Sequence, residues 1–189
     1  MWQDSSELVV AKNGEVSFAP VGTALPTTPT EKLNSAFVGA GFLTEEGAKI
    51  SATPEIMETK SWQRRQATRR DLNGQEITVT FTMQQVNESN LVLALGGGKI
   101  TEPSVGIFRY DFVVDSEPID ERALVIDAAD GGEHHRFVFL AGNVTESVEL
   151  SFQRGQELQL PVTFKVLAPS EDVSPGYYLT DSDAFTPGS

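Results

Sequence analysis

The sequence predicts a mainly β domain carrying one short helix. Three observations point there: several runs alternate with period two, turn residues separate those runs, and only one segment has helix-capping signals. The run "EITVTFTM" alternates over eight residues, with Ile77, Val79, Phe81 and Met83 on one face and Glu76, Thr78, Thr80 and Thr82 on the other. "VGIFRYDFVVD" groups Phe108, Tyr110, Phe112 and Val114. "HRFVFLA" groups Phe137 with Phe139, and "VELSFQ" groups Val148, Leu150 and Phe152. "LQLPVTFKV" aligns Leu158, Leu160, Val162, Phe164 and Val166, with Pro161 on the opposite parity. Proline cannot donate a ladder hydrogen bond, so an edge or a bulge is expected there. Shorter strands are expected at "EVSFA" and "FVGAGFL", with turns at "NG" (13–14), "LNGQ" (72–75), "DGGE" (130–133) and "RG" (154–155).

The helix is expected in "NESNLVLALGGG". Asn87 is the N-cap, Glu88 sits in the first turn, and Gly96 takes the left-handed position after the last turn. Leu91 and Leu95 are expected to anchor it to the sheet. The Thr/Pro-rich stretch 20–32 reads as an extended loop, and residues 54–74 as a long hairpin. The β domain then spans 1–168, with 169–189 as a C-terminal arm carrying a few aromatic anchors.

Composition narrows the function. There are no cysteines, which excludes disulfide scaffolds and Cys-based zinc sites. With 39% hydrophobic residues, the chain suits a thin two-layer β structure or a subunit that completes its core against neighbours. The start "MWQDSSELVV" lacks a basic and then apolar leader, so no secretory signal is expected. No apolar run reaches the roughly 18 residues that span a bilayer. The formal net charge of −13, from 14 Lys plus Arg against 27 Asp plus Glu, weighs against tight nucleic-acid binding.

No motif carries catalytic or metal chemistry. The only histidines, His134 and His135, are adjacent, and in a strand they point to opposite faces, so they do not share a metal. "LGGGKIT" partly matches a phosphate-binding loop, but Leu93 stands at the first glycine position and Ile100 follows Lys99. Residues 111–133 hold eight carboxylates (Asp111, Asp115, Glu117, Asp120, Glu121, Asp127, Asp130 and Glu133) with one basic residue, Arg122. Their spacing fits no calcium loop and reads as a solvated acidic face, available as an electrostatic lining. "NES" and "NVT" match a glycosylation acceptor, which has no meaning without secretion. No catalytic residue and no cofactor is expected.

The run "EVSFAPVGTALPTTPTEKLNSAFVGAGFLTEEG" (15–47) resembles the start of major tail tube proteins of long-tailed actinobacterial phages. The phrases that carry the resemblance are Ala19–Pro26 and Ala36–Gly47, then "PEIMETKSWQ" (54–63) and "ITVTFTMQQVNESNLVLALGGG" (77–98), and the order of elements matches from about Gly14 to Ala168. The chain departs from the family in the four arginines after the Trp-Gln pair, and in having no C-terminal immunoglobulin-like decoration. The resemblance implies a β-sandwich or half-barrel with one flanking helix. It also implies six-copy rings stacked into a tube, a tape measure protein in the lumen, and terminator and distal tail proteins at the ends. Double-stranded DNA passes through without being held, and no membrane is involved. Assembly in the host cytoplasm into the virion tail is the implied location. A ring-forming tail-completion or secretion-system tube protein is the related alternative, and a soluble β-sandwich binding module the unrelated one.

Within that frame the segment "SWQRRQATRR" gains a meaning. Trp62, Arg64, Arg65, Arg69 and Arg70 lie between "TPEIMETK" and the "LNGQ" turn. Arginine forms bidentate pairs with carboxylates, and another copy of this acidic chain offers them, so these residues are expected at an inter-subunit contact.

Overall fold

The computed structural model describes residues 8–62, 64–113, 118–146, 148–170 and 172–185; in the long hairpin, residues 59–61, 64, 65, 67, 68, 72 and 73 are described through their backbone alone. The chain is mainly antiparallel β with one short helix. The strands are β1 (Asn13–Pro20), β2 (Val38–Gly39), β3 (Lys49–Ser61), β4 (Arg64–Met83), β5 (Lys99–Ser104), β6 (Ile107–Asp111), β7 (Glu121–Asp130), β8 (Glu133–Val144), β9 (Leu160–Leu167) and β10 (Gly176–Thr180). Helix α1 spans Glu88–Ala94.

Eight strands form one sheet in the order β2-β1-β7-β8-β9-β4-β3, with β10 also on β8. The sheet curls, and the chain between β2 and β3 bridges its two ends. At one end Ala40 donates to the Val16 carbonyl (2.8 Å); at the other Thr44 donates to Thr82 (3.1 Å) and Gln84 to Phe42 (2.9 Å), around a bridge between Leu43 and Met83. Strand β8 serves two neighbours along a single edge. Residues 135–139 pair with β10 and residues 141–144 with β9.

One buried cluster fills the concave face. It takes Val16 and Phe18 from β1, Val79, Phe81 and Met83 from β4, Leu124 and Ile126 from β7, Phe139 and Val144 from β8, and Leu160, Val162 and Phe164 from β9. The period-two reading of "EITVTFTM" and of β9 places these side chains correctly. Pro161 is exposed, in the part of β9 that only β4 pairs, so its missing donor leaves no ladder bond unmade. Gly142 is required for closure. A Cβ there would fall on the Phe164 ring and the Lys165 carbonyl.

The helix forms as expected. The Asn87 side chain accepts from the Asn90 N–H, and Gly96 has φ 70°. Of the expected anchors Leu91 packs, partly buried, against the core, and Leu95 is only partly buried, while Asn90, Leu93 and Ala94 are the buried residues of the helix. Asn90 decides the orientation: its Nδ2 donates to the Ala40 carbonyl (2.9 Å) and to the Gln85 carbonyl (2.8 Å). That tie turns Leu93 and Ala94 inward.

Three expectations are corrected. "VELSFQ" is not a strand, and Phe152 is exposed, because β9 takes its pairing positions from β4 and β8 and leaves 148–153 without a partner strand. Phe108 and Phe112 do not enter the core, because β6 pairs only with β5 in a separate two-stranded sheet; Val114 lies outside the described residues. "LNGQ" is not the hairpin turn. It lies inside β4, where Gly74 faces Glu55 and Leu72 faces Ile56, so Asn73 is the extra residue of a bulge. The hairpin turns instead at Trp62, twelve residues further from the sheet than "LNGQ" would have put it at Gly74.

Replacing Gly142 by Ala is expected to destabilise the fold by about 1–3 kcal/mol through overpacking against Phe164. A urea-unfolding midpoint equal to that of the parent chain would show that the ring can yield.

Candidate functional site

The projecting β3–β4 hairpin carries the arginine cluster. β9 pairs with β4 only over 78–83, so the ladder beyond it, from Ala52 and Ile77 to the tip, is two strands wide. Trp62 stands at the tip with its side chain fully exposed. A tryptophan wholly in water is unusual for so large an apolar group, which is why the tip is a contact candidate. Arg64 and Arg65 open β4 directly after the turn. Arg69 pairs with Asp71 (2.7 Å), and Arg70 pairs across the ladder with Glu58 (2.9 Å). Both pairs are exposed, and such pairs contribute about 0–1 kcal/mol, so either arginine can exchange its partner at little cost.

The acidic residues of 111–133 do not form one open patch among the described residues. Asp111 lies on the separate β5–β6 sheet and pairs with Arg109 (2.8 Å). Asp120 pairs with Arg122 (2.9 Å), and Asp130 with Lys12 (3.0 Å). Asp127 pairs with the buried Arg136 (2.5 Å). Glu121 is exposed at the start of β7, and Glu133 opens β8 opposite Asp130. Asp115 and Glu117 lie outside the described residues.

Arg136 is the centre of a network that the arginine-rich segment drew attention away from. Besides Asp127, it donates through Nη1 to the carbonyls of Thr28 (3.0 Å) and Glu31 (2.8 Å). Tyr177 on β10 donates to the Pro26 carbonyl (2.8 Å). The loop after β1 is thereby stapled across β7, β8 and β10, on the face opposite the core. Glu31 accepts from the Thr27 N–H and hydroxyl, which hold its carboxyl below the usual range. A signal for the staple was present in the sequence. A two-residue turn at Gly131–Gly132 sets Asp127 opposite Arg136 by counting outward.

The same β7–β8 turn fastens both chain ends. On the N-terminal side Val10 donates to Asp130 (2.8 Å) beside the Lys12 pair. On the C-terminal side Asp181 accepts from the His134 N–H (2.6 Å) and meets its ring at Nδ1 (2.8 Å), while His135 Nδ1 meets the Tyr178 hydroxyl (2.5 Å). The two histidines thus point to opposite faces, as alternation requires, and both hold the C-terminal strand. No group of three or more metal-ligating side chains is found among the described residues. One open cleft, with a mainly polar lining, is bounded by Thr82, Glu149, Gln156 and Gln159.

A family model described as phage tail tube protein matches residues 1–187. The chain belongs to that family. No curated protein matches it in sequence. A tail tube protein is a structural, non-enzymatic component of the virion tail, and it assembles into a tube with other tail proteins. Among the described residues of this tail tube protein, no helix is long and apolar enough to cross a membrane.

Two outcomes follow from the stapled loop and the fastened ends. Arg136→Met leaves the Asp127 carboxylate and two carbonyls without their donor, and is expected to cost about 2–3 kcal/mol, read from chemical denaturation. An unchanged midpoint would count against the staple. The second outcome concerns pH. Asp130 is held below the usual aspartate value of 3.8, first by the Val10 N–H and then by Lys12; Asp181 is held below it first by the His134 N–H and then by the His134 side chain. A carboxyl depressed on folding stabilises above its unfolded value and loses that contribution as pH falls through the folded one. Below pH 3.8 the amides of 10–12 and 176–182 should therefore gain hydrogen exchange, corrected for intrinsic rates, while those of β7 stay protected. Protection of both ends at that pH equal to that at neutrality would refute it.

Proposed function

We propose that this tail tube protein forms six-copy rings that stack into the conduit for the phage genome. The tail is the long, non-contractile kind of actinobacterial phages, as the phrases at 19–26 and 36–47 support. Assembly takes place in the host cytoplasm around a tape measure protein, with terminator and distal tail proteins capping the ends. The lumen is smooth and negative. A chain of net charge −13, repeated around a channel, repels double-stranded DNA and keeps it from sticking. Asp111, Asp115, Glu117, Asp120, Glu121, Asp127, Asp130 and Glu133 remain the candidates for that lining, with Glu121 and Glu133 favoured because neither has an ion pair among the described residues.

The observation that carries the reading is the two-strand projection tipped by a fully exposed Trp62 and followed by four arginines. Among the described residues its arginines have only exposed partners, Asp71 and Glu58. Another copy offers an acidic surface, which suits bidentate arginine pairing around a buried aromatic anchor. Trp62, Arg64, Arg65, Arg69 and Arg70 act as the clamp between subunits.

Electron microscopy of the purified protein tests this. The parent chain is expected to form hollow tubes with six-fold end views. Arg64→Glu combined with Arg65→Glu is expected to stop stacking while leaving the far-ultraviolet circular dichroism unchanged. Normal tubes from that variant would place the contact elsewhere, and a parent chain that stays monomeric at high concentration would refute the tube itself.

A further inference from the structure

A second surface stands apart from the arginine hairpin. Strands β5 and β6 form a hairpin outside the main sheet, turning through Val105 and Gly106, where Glu102 accepts from the Gly106 N–H (2.7 Å). Two strands without a covering layer are marginal in water. This hairpin nonetheless shows its apolar side chains to solvent: Val105 is 99% exposed, Ile107 60%, Phe108 71% and Phe112 73%. Phe108 and Phe112 share one face of the strand with Tyr110, whereas Ile107 lies on the opposite face and Val105 at the turn.

The hairpin is held at its root rather than along its length. The Tyr110 hydroxyl donates to the Gly97 carbonyl (2.6 Å), and no side chain larger than glycine fits at Gly98 beside it. The Tyr110 ring then meets Phe112 edge to face, with centroids 5.2 Å apart. Phe112 is therefore oriented before any partner arrives, which lowers the cost of burying it.

Charge says what the partner is. Residues 99–113 contain two basic residues, Lys99 and Arg109, and two acidic ones, Glu102 and Asp111, in a chain of net charge −13. Copies of so acidic a chain repel one another over most of their surfaces, and this neutral apolar patch is where they approach without that penalty. We propose that the Phe108–Phe112 hairpin docks on a second copy of this chain and forms a contact distinct from the Trp62 clamp. The proposal rests on the tube reading. The contact is heterologous, since a self-complementary one would stop at a pair.

The test compares the parent chain with Phe108→Ser combined with Phe112→Ser, by electron microscopy and sedimentation. Both side chains are exposed, so thermal unfolding of the variant should match that of the parent. The concentration needed for tube formation should rise roughly a hundredfold. A photo-reactive phenylalanine analogue at position 112 should give a ladder of cross-linked copies. Tubes from the parent and equally good tubes from the variant would overturn this contact alone. A parent chain that never self-associates would overturn the tube reading and this contact with it. Cross-links confined to dimers, or to another tail protein when assembly is run in infected cells, would overturn the second-copy assignment.

Discussion

A curled antiparallel sheet holds its shape only if something ties its two ends together. Here the chain from Val38 to Lys49, which joins the edge strands β2 and β3, ties β1 at Val16 to β4 at Thr82 and Gln84. The closure depends in turn on Asn90, whose amide is fully buried and ties the Ala40 carbonyl to the chain entering α1. The short helix contributes more as the carrier of that amide than as a helix. Seven residues are marginal alone, and its cap, its buried amide and the Leu93 and Ala94 contacts hold it in place.

The core strands were legible because each has one wet and one dry face, which imposes period two on the sequence. "EITVTFTM" and β9 could be read to the residue for that reason. The misread segments fail for a common cause: alternation shows that a segment fits a strand, not that a partner strand exists. "VELSFQ" has the pattern and no partner, and β6 has only β5. "LNGQ" misled in a different way. Asn-Gly suits a turn and a bulge alike, and only the register between Glu55 and Gly74 separates the two. The arginine cluster was visible as composition, whereas the Arg136 staple required counting outward from the Gly131–Gly132 turn to see which charges face each other.

Charge is handled in two ways. On the faces that pack, carboxylates are matched one to one: Asp127 with Arg136, Asp120 with Arg122, Asp130 with Lys12. Those pairs use basic residues locally, and the uncompensated negative charge falls to the remaining surface. A family member whose role is to build a tube gains from that division on the proposed reading. Local matching lets loops and termini pack, while the residual charge acts at a distance on a polyanion.

The body and its projections also differ in how they hold together. Around β7 and β8, ladder bonds, a buried cluster and the Arg136 staple act together, so opening any part exposes apolar surface and unpairs charge. Among the described residues, the outer β3–β4 ladder has its own hydrogen bonds and exposed ion pairs, and the β5–β6 hairpin has its root at Tyr110. Segments with few buried contacts open at the lowest free-energy cost. Their exposed Trp62, Phe108 and Phe112 therefore gain more from a neighbour than core residues could, since they begin in water. An assembling subunit built this way keeps its fold independent of its contacts. The body is complete before association, and on the proposed reading the projections find their remaining partners in the next copy.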